Sequence, residues 1–193
     1  AFYAGSILPD MVSMNVLKAL PAPFQGGVER HRQIDLFTDS HPAFKRSVGR
    51  FSPPLRRFGG ILADVIYDHC LARRWSAHSE LALTEFTARV YASLESIWAD
   101  IPVQARPGLA HMRLEDWLGS YRELSGIARA LERISRRMKR PFDSTSAMDV
   151  IEVRKLRILD PPDRSVCSTG PRPVGSGVPN IPATTPMLTL SIE

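Results

Sequence analysis

The sequence is poor in cysteine and has no long apolar run, and both absences narrow the possible classes of protein. Only two cysteines, Cys70 and Cys167, occur in 193 residues, with no disulfide framework and no zinc-binding spacing. This usage is typical of a reducing compartment, so we expect a cytoplasmic location. No apolar segment reaches the length of a membrane span and no signal peptide is visible, so we expect no membrane association.

Several motifs that define large enzyme and binding classes are also missing. The chain has no Walker phosphate loop, no GxGxxG turn, no GxSxG nucleophile elbow and no helix-turn-helix signature. These absences give no support to a nucleotide-binding fold of the common types, a serine hydrolase or a major-groove DNA reader. Any chemistry must therefore come from residues scattered along the chain.

Charge, by contrast, is plentiful and unevenly distributed. The net charge is +5 and the isoelectric point is near 9.6. Residues 144–193 contain five basic and five acidic residues, so the whole excess lies within residues 1–143. A basic body indicates an anionic partner, which charge alone leaves open between nucleic acid, a phosphate-bearing small molecule and an acidic protein.

Helical spacing of apolar residues predicts an all-α domain over residues 1–143. Gly5 and Pro9 argue against a long helix near the start, and the prolines and glycines of residues 21–27 predict a loop. Predicted helices cover residues 28–39, 43–51, 55–75, 81–98, 109–118 and 121–138. Residues 144–193 are predicted to form a separate segment, with a short helix or strand and then a Pro/Ser-rich disordered tail after residue 160.

The helix predicted over residues 55–75 is apolar yet carries three polar groups in its middle. Asp64 and Asp68 are four residues apart, so they lie on one face of the helix and repel each other. A divalent cation would remove that repulsion, and His69 would supply a nitrogen ligand. Solvation of these side chains, or pairing with nearby arginines, explains the same pattern without a metal.

Two upstream segments carry groups of the same type. His31 and Asp35 have the four-residue spacing that allows them to share one metal or to bond each other, and Asp39 continues the series. Taken alone, this pair is better explained as a surface His–Asp pair. Asp10 follows Pro9 in apolar surroundings, where a helix N-cap is the simplest interpretation.

Two central segments, HRQIDLFTD (31–39) and GGILADVIYDHCLARRW (59–75), resemble the acyl carrier protein phosphodiesterase family in order and spacing. YAGSILPD (3–10) is similar to the family's GNLLAD segment, with Ser6 in place of the asparagine. SYRELSGIARALERISRRMKRP (120–141) is similar to a later helix of the family. The resemblance implies a helical bundle like that of HD-type phosphohydrolases. It also implies hydrolysis of the phosphodiester joining 4′-phosphopantetheine to a serine of holo-acyl carrier protein.

The resemblance further implies a divalent metal, Mn²⁺ with Mg²⁺ as the other possibility, because mixed imidazole and carboxylate ligands suit such ions. The metal ligands it implies are Asp10, His31, Asp35, Asp64, Asp68 and His69. Its implied catalytic carboxylates are Asp35, Asp64 and Asp68. Candidates for gripping the diester or the acidic carrier protein are Arg30, Arg32, Arg73 and Arg74.

The sequence departs from the family pattern at both ends. An N-terminal helical segment of the family is missing before Ala1, which we interpret as a truncated start, and a Pro/Ser-rich tail replaces the family's aromatic-rich helix after Asp143. Two other functions therefore stay open. One is an HD-like phosphohydrolase acting on another small phosphodiester, and the other is an inactive relative that binds acidic partners. Nucleic acid is the less favoured partner, because no base-stacking signature is present.

Overall fold

The computed structural model describes the backbone of residues 1–158 and the side chains of residues 1–152. This part of the chain is all-α and contains no β-strand, which confirms the predicted fold class. Short 3₁₀ helices join several of the α-helices. The α-helices are α1 (Phe2–Ile7), α2 (Met14–Lys18), α3 (Ala22–Ser40), α4 (Pro42–Gly49), α5 (Gly59–Arg73), α6 (Leu83–Ser96), α7 (Arg106–Leu114), α8 (Trp117–Ser120), α9 (Leu124–Arg137) and α10 (Ser144–Ile158).

A close crossing of α1 and α3 sets the geometry of the N-terminal region. A Cβ atom on Gly5 would collide with the carbonyl oxygen of Phe24, and one on Gly27 would collide with the carbonyl oxygen of Phe2. Only glycine lets the two backbones approach this closely. The crossing brings the end of α1 and the following 3₁₀ turn, Leu8–Asp10, against the middle of α3.

The predicted loop at residues 21–27 is wrong, because α3 begins at Ala22 and runs through this segment. Pro23 lies in the first turn of the helix, where its missing N–H has no helical partner to lose. The glycines lie in the helix as well, and the crossing with α1 requires Gly27. Proline and glycine, which usually indicate loops, here begin the helix and allow its close contact with α1.

Helix α5 packs against α4 and α9 and passes through the core. Its leucine, valine and isoleucine side chains at Leu62, Val65 and Ile66 are buried, with at most 4% of their surface exposed. Burying each such side chain stabilises the fold by about 1.5–3 kcal/mol, which anchors the helix firmly. The polar groups of α5 are therefore held between packed apolar turns. Across the residues that the structure describes, no helix is both long and apolar enough to cross a membrane.

The later helices are shorter than the sequence predicts. Asp116 adopts a left-handed backbone conformation with φ of 43°, and its side chain accepts a hydrogen bond from the Gly119 amide. This turn separates α7 from α8, so the helix predicted over residues 109–118 is two helices. Tyr121 then lies in the connection before α9 rather than inside that helix.

The helical body extends beyond the boundary predicted at residue 143. Asp143 accepts hydrogen bonds from the Thr145 and Ser146 amides and so caps α10. Ala147 and Ile151 on α10 are buried in the common core. The helix that the sequence left open as helix or strand is therefore part of the domain. The predicted disordered tail, residues 159–193, lies outside the described residues.

Candidate functional site

His31 lies at the crossing of α1 and α3 and is buried, with 6% of its surface exposed. Its Nδ1 atom is 2.9 Å from the Ser6 carbonyl oxygen, and because a carbonyl only accepts, Nδ1 carries the proton. Its Nε2 atom is 3.2 Å from Asp35 Oδ2 and 3.8 Å from Asp10 Oδ1. The interpretation of His31 and Asp35 as a surface pair is therefore wrong, because both are drawn into the helix crossing.

Asp10 is also not the helix N-cap that the sequence favours. It ends the 3₁₀ turn, α2 is preceded by Ser13, and the Asp10 side chain is only 8% exposed beside His31. Burial alone lowers the pKa of His31. The hydrogen bond to Asp35, the charges of Asp10 and Asp35, and the Ser6 carbonyl outweigh it and raise the pKa overall. The two carboxylates therefore favour the imidazolium form when no metal is bound.

Asp64, on α5, faces the same group of carboxylates. Burial raises the pKa of Asp64 to about 8, and the negative charge of Asp39 is the next largest cause. Asp35 and Asp10 act in the same direction with smaller effects. Burial and the negative charges of the three neighbouring aspartates therefore both favour the protonated, uncharged form of Asp64 when no metal is bound.

Asp68 is more deeply buried, with 3% of its surface exposed. Burial, followed by the charges of Asp64 and Asp10, holds the pKa of Asp68 well above its usual range. Its Oδ2 atom and the Oδ1 atom of Asp35 are buried and have no hydrogen-bond partner among the described residues. We call Asp10, Asp35, Asp39, Asp64 and Asp68, together with His31, the acidic cluster.

His69 follows Asp68 on α5 and is equally buried. Its Nδ1 atom is 2.7 Å from the carbonyl oxygen of Tyr121, so this nitrogen carries the proton. The Tyr121 hydroxyl is buried and has no hydrogen-bond partner in the described part of the chain. Burial raises the pKa of Tyr121, and the negative charge of Asp68 is the next largest cause.

The donor chemistry of this region fits a divalent cation. Both His31 and His69 direct Nδ1–H to a backbone carbonyl, the arrangement that typically orients a metal-binding imidazole through Nε2. The buried carboxylate oxygens of Asp35 and Asp68 require either protons or a cation. In the range with described side chains, however, no group of three or more His, Cys, Asp or Glu residues is arranged so that it can hold one ion. Binding a metal would require these side chains to draw together.

The four arginines named from the sequence have different positions. Arg73 lines a cavity beside His69. Arg30 is half-buried, while Arg32 and Arg74 are exposed, and no ion pair joins these three to the acidic cluster within the described residues. The structure therefore brings one of the four to the region of the site.

Two residues of this region were absent from the sequence-based set. Asp39 influences the pKa of Asp64, and its four-residue spacing from Asp35 was the available signal. Burial, then the charge of Asp35, raises the pKa of Asp39, while Lys45 opposes the rise. Tyr121 gave no signal, because only the folded chain brings the α8–α9 connection next to α5.

The fold and this region together define an all-helical protein with His31, Asp10 and Asp35 at the crossing of α1 and α3, close enough to Asp64 on α5 for the carboxylates to oppose its ionisation. A family model described as "Acyl carrier protein phosphodiesterase" matches residues 1–158. The chain therefore belongs to the acyl carrier protein phosphodiesterase family.

Individual relatives agree with the family match. A protein of Enterobacter sp. (strain 638) named "Acyl carrier protein phosphodiesterase" is 34% identical over 138 residues, covering 71% of this chain and 72% of its own length. A protein of the same name from Escherichia coli O45:K1 (strain S88 / ExPEC) is 30% identical over 159 residues, covering 78% of this chain and 82% of its own. No solved structure matches the chain, so the likeness to HD-type phosphohydrolases stays a prediction.

Proposed function

We propose that this protein hydrolyses the phosphodiester that joins 4′-phosphopantetheine to a serine of holo-acyl carrier protein. The products would be apo-carrier protein and free 4′-phosphopantetheine. Support comes from the family membership and from relatives named "Acyl carrier protein phosphodiesterase", to which this chain is similar over most of their length. The observation that carries the proposal is the acidic cluster, whose buried carboxylates converge beside two oriented imidazoles.

A divalent metal, Mn²⁺ or alternatively Mg²⁺, is part of this proposal. When bound, such an ion polarises a phosphoryl oxygen and lowers the pKa of a coordinated water. The residues that would hold it are Asp10, His31, Asp35, Asp64, Asp68 and His69. Their mixed oxygen and nitrogen donors suit Mn²⁺-type ions, and a cation would compensate the unpartnered carboxylate oxygens of the cluster.

The chain's own residues would manage the protons and the charge of the reaction. Water attacks phosphorus, the bond from phosphorus to the serine oxygen breaks, and the serine oxygen leaves with a proton. Asp35 is the most accessible carboxylate beside His31, at 25% exposure, so it is suited to accept the proton of the attacking water. Asp64 and Asp68 would position the ion and the phosphate through their carboxylate oxygens, and the Ser6 carbonyl would orient His31 through its Nδ1–H.

Mass spectrometry of holo-acyl carrier protein tests the reaction directly. Incubation with the protein and Mn²⁺ should remove the mass of the prosthetic group, and chelation with EDTA should stop the loss. Asp68→Asn should be inactive, whereas Asp149→Asn, an exposed position on α10, should match the wild type. Unchanged holo-carrier after incubation with the wild type and Mn²⁺ would refute the reaction. Full activity in EDTA would refute the metal.

The same assay separates this function from hydrolysis of another small phosphodiester. A generic aryl phosphodiester should be turned over much more slowly than holo-carrier protein, since it lacks the carrier and most of the prosthetic arm. Faster turnover of the aryl substrate would favour the broader phosphohydrolase activity.

A further inference from the structure

A cavity of about 580 Å³ opens between the C-terminal half of α5 and the turn that leads into α9. Its volume lies in the range of small-molecule binding sites. Its lining comprises His69, Arg73, Arg122, Glu123, Leu124 and Ser125. His69 is the lining residue nearest in sequence to the acidic cluster, because it follows Asp68 on α5.

The charge of this cavity is opposite in sign to that of the cluster. Arg73 and Arg122 supply two guanidinium groups, and Glu123 supplies one carboxylate. The Arg122 Nε atom is 3.6 Å from Glu123 Oε1, and both side chains are more than half exposed, so this pair is weak. Among the described residues, no carboxylate forms an ion pair with Arg73. The cavity therefore keeps net positive charge.

We propose that this cavity binds the phosphate-ester end of the prosthetic group, with Arg73 and Arg122 contacting phosphate oxygens. The proposal rests on the proposed function, and it assigns roles to Arg122 and Ser125 that the sequence did not indicate. Guanidinium groups form charge-assisted hydrogen bonds to phosphate, frequently in pairs. The Ser125 hydroxyl would donate a further bond, and Leu124 would contact the uncharged arm.

The wall of the cavity is held in place by the same contact that orients His69. The Tyr121 carbonyl accepts the Nδ1–H of His69, and Arg122 is the next residue along the chain. A phosphate ester bound by Arg122 is thereby placed beside the imidazole rather than at a remote surface. This position suits a group that must enter the site and leave it as product.

Binding of free 4′-phosphopantetheine to the full chain, measured by calorimetry with Mn²⁺ present, tests the proposal. Arg122→Gln should weaken binding about tenfold or more, because a charged hydrogen-bond partner is removed. Arg129→Gln is the matched control, since Arg129 is exposed on α9 and does not line this cavity. Pantetheine, which lacks the phosphate, should bind much more weakly and should not distinguish the two variants.

Three results would overturn the assignment. They are equal affinity for 4′-phosphopantetheine in Arg122→Gln and wild type, equal affinity of the wild type for pantetheine, and a rise in KM for holo-carrier protein with product binding unchanged. The last would place Arg122 against the carrier protein surface instead. Binding does not require hydrolysis, so Arg122-dependent binding by an inactive protein would refute the proposed function alone. Hydrolysis with Arg122-independent binding would refute the cavity alone.

Discussion

The middle and the C-terminal end of α5 carry opposite electrostatic character. In the middle of the helix, Asp64 and Asp68 belong to the acidic cluster, and burial raises the pKa of both aspartates. Toward its C-terminal end, Arg73 lines a cavity with Arg122. His69 stands between the two regions and is fixed by the Tyr121 carbonyl. One helix thus carries buried carboxylates in its middle and contributes an arginine to a cavity at its C-terminal end.

Asp68→Asn should cause the largest loss of activity of the variants considered. It should impair the acidic cluster and leave the arginine-lined cavity intact. We expect hydrolysis of holo-carrier protein to fall by a factor on the order of 100 or more, because a buried carboxylate of the site is lost. Binding of 4′-phosphopantetheine in the cavity should persist.

Thermal unfolding in EDTA supplies the control for this variant. Asn has nearly the shape of Asp but carries no charge, so the midpoint should equal or exceed that of the wild type. A clearly lower midpoint would mean that Asp68 stabilises the fold, and the loss of activity would then say little about the reaction.

Gly27→Ala should disturb the acidic side through the backbone. The new methyl group would meet the Phe2 carbonyl and force α1 away from α3, which we expect to cost about 2–4 kcal/mol in free energy of unfolding. Gly26→Ala is the matched control, because its Cβ would meet only the Phe2 ring at 3.8 Å. That control should be neutral or stabilising by about 0.5–1 kcal/mol. Urea denaturation measures both, and equal stability of the two variants would contradict the crossing described here.

Tyr121→Phe should give the smallest change in stability. It tests the residue whose carbonyl holds His69, between the acidic cluster and the cavity. Removing a buried hydroxyl that has no partner should raise the free energy of unfolding by about 1 kcal/mol in EDTA. If the hydroxyl assists the reaction, kcat should fall while the stability rises. A loss of stability instead would show that the hydroxyl has a partner within the folded protein.

Much of the site could be predicted from local sequence because its parts repeat at helical spacing. Asp64 and Asp68 on α5, and His31 and Asp35 on α3, are each four residues apart and therefore share a face. Local spacing could not show that Asp10 reaches His31, because that depends on the glycine crossing of α1 and α3. Asp10 was ambiguous for the same reason.

The remaining gaps have a similar origin. Tyr121 and Arg122 reach α5 through a connection whose position depends on the left-handed turn at Asp116. Arg32 and Arg74 have the positive charge expected of a phosphate-binding residue, but both are exposed to solvent. The sequence gives the charge of a side chain and not the direction in which it points. The fold class could be predicted because the apolar residues recur at clear helical spacing. Contacts between residues distant in sequence could not, because they depend on how the helices pack.

The crossing at Gly5 and Gly27 has a consequence for how the protein responds to mild stress. The Ser6 carbonyl that orients His31 lies on α1, a helix of only six residues. Separation of this short helix from α3 would release the imidazole and expose Ala4 and Ile7, while the other helices keep their backbone hydrogen bonds. Hydrolytic activity should therefore decline at lower urea concentrations than the far-ultraviolet circular dichroism signal, because it depends on this local contact.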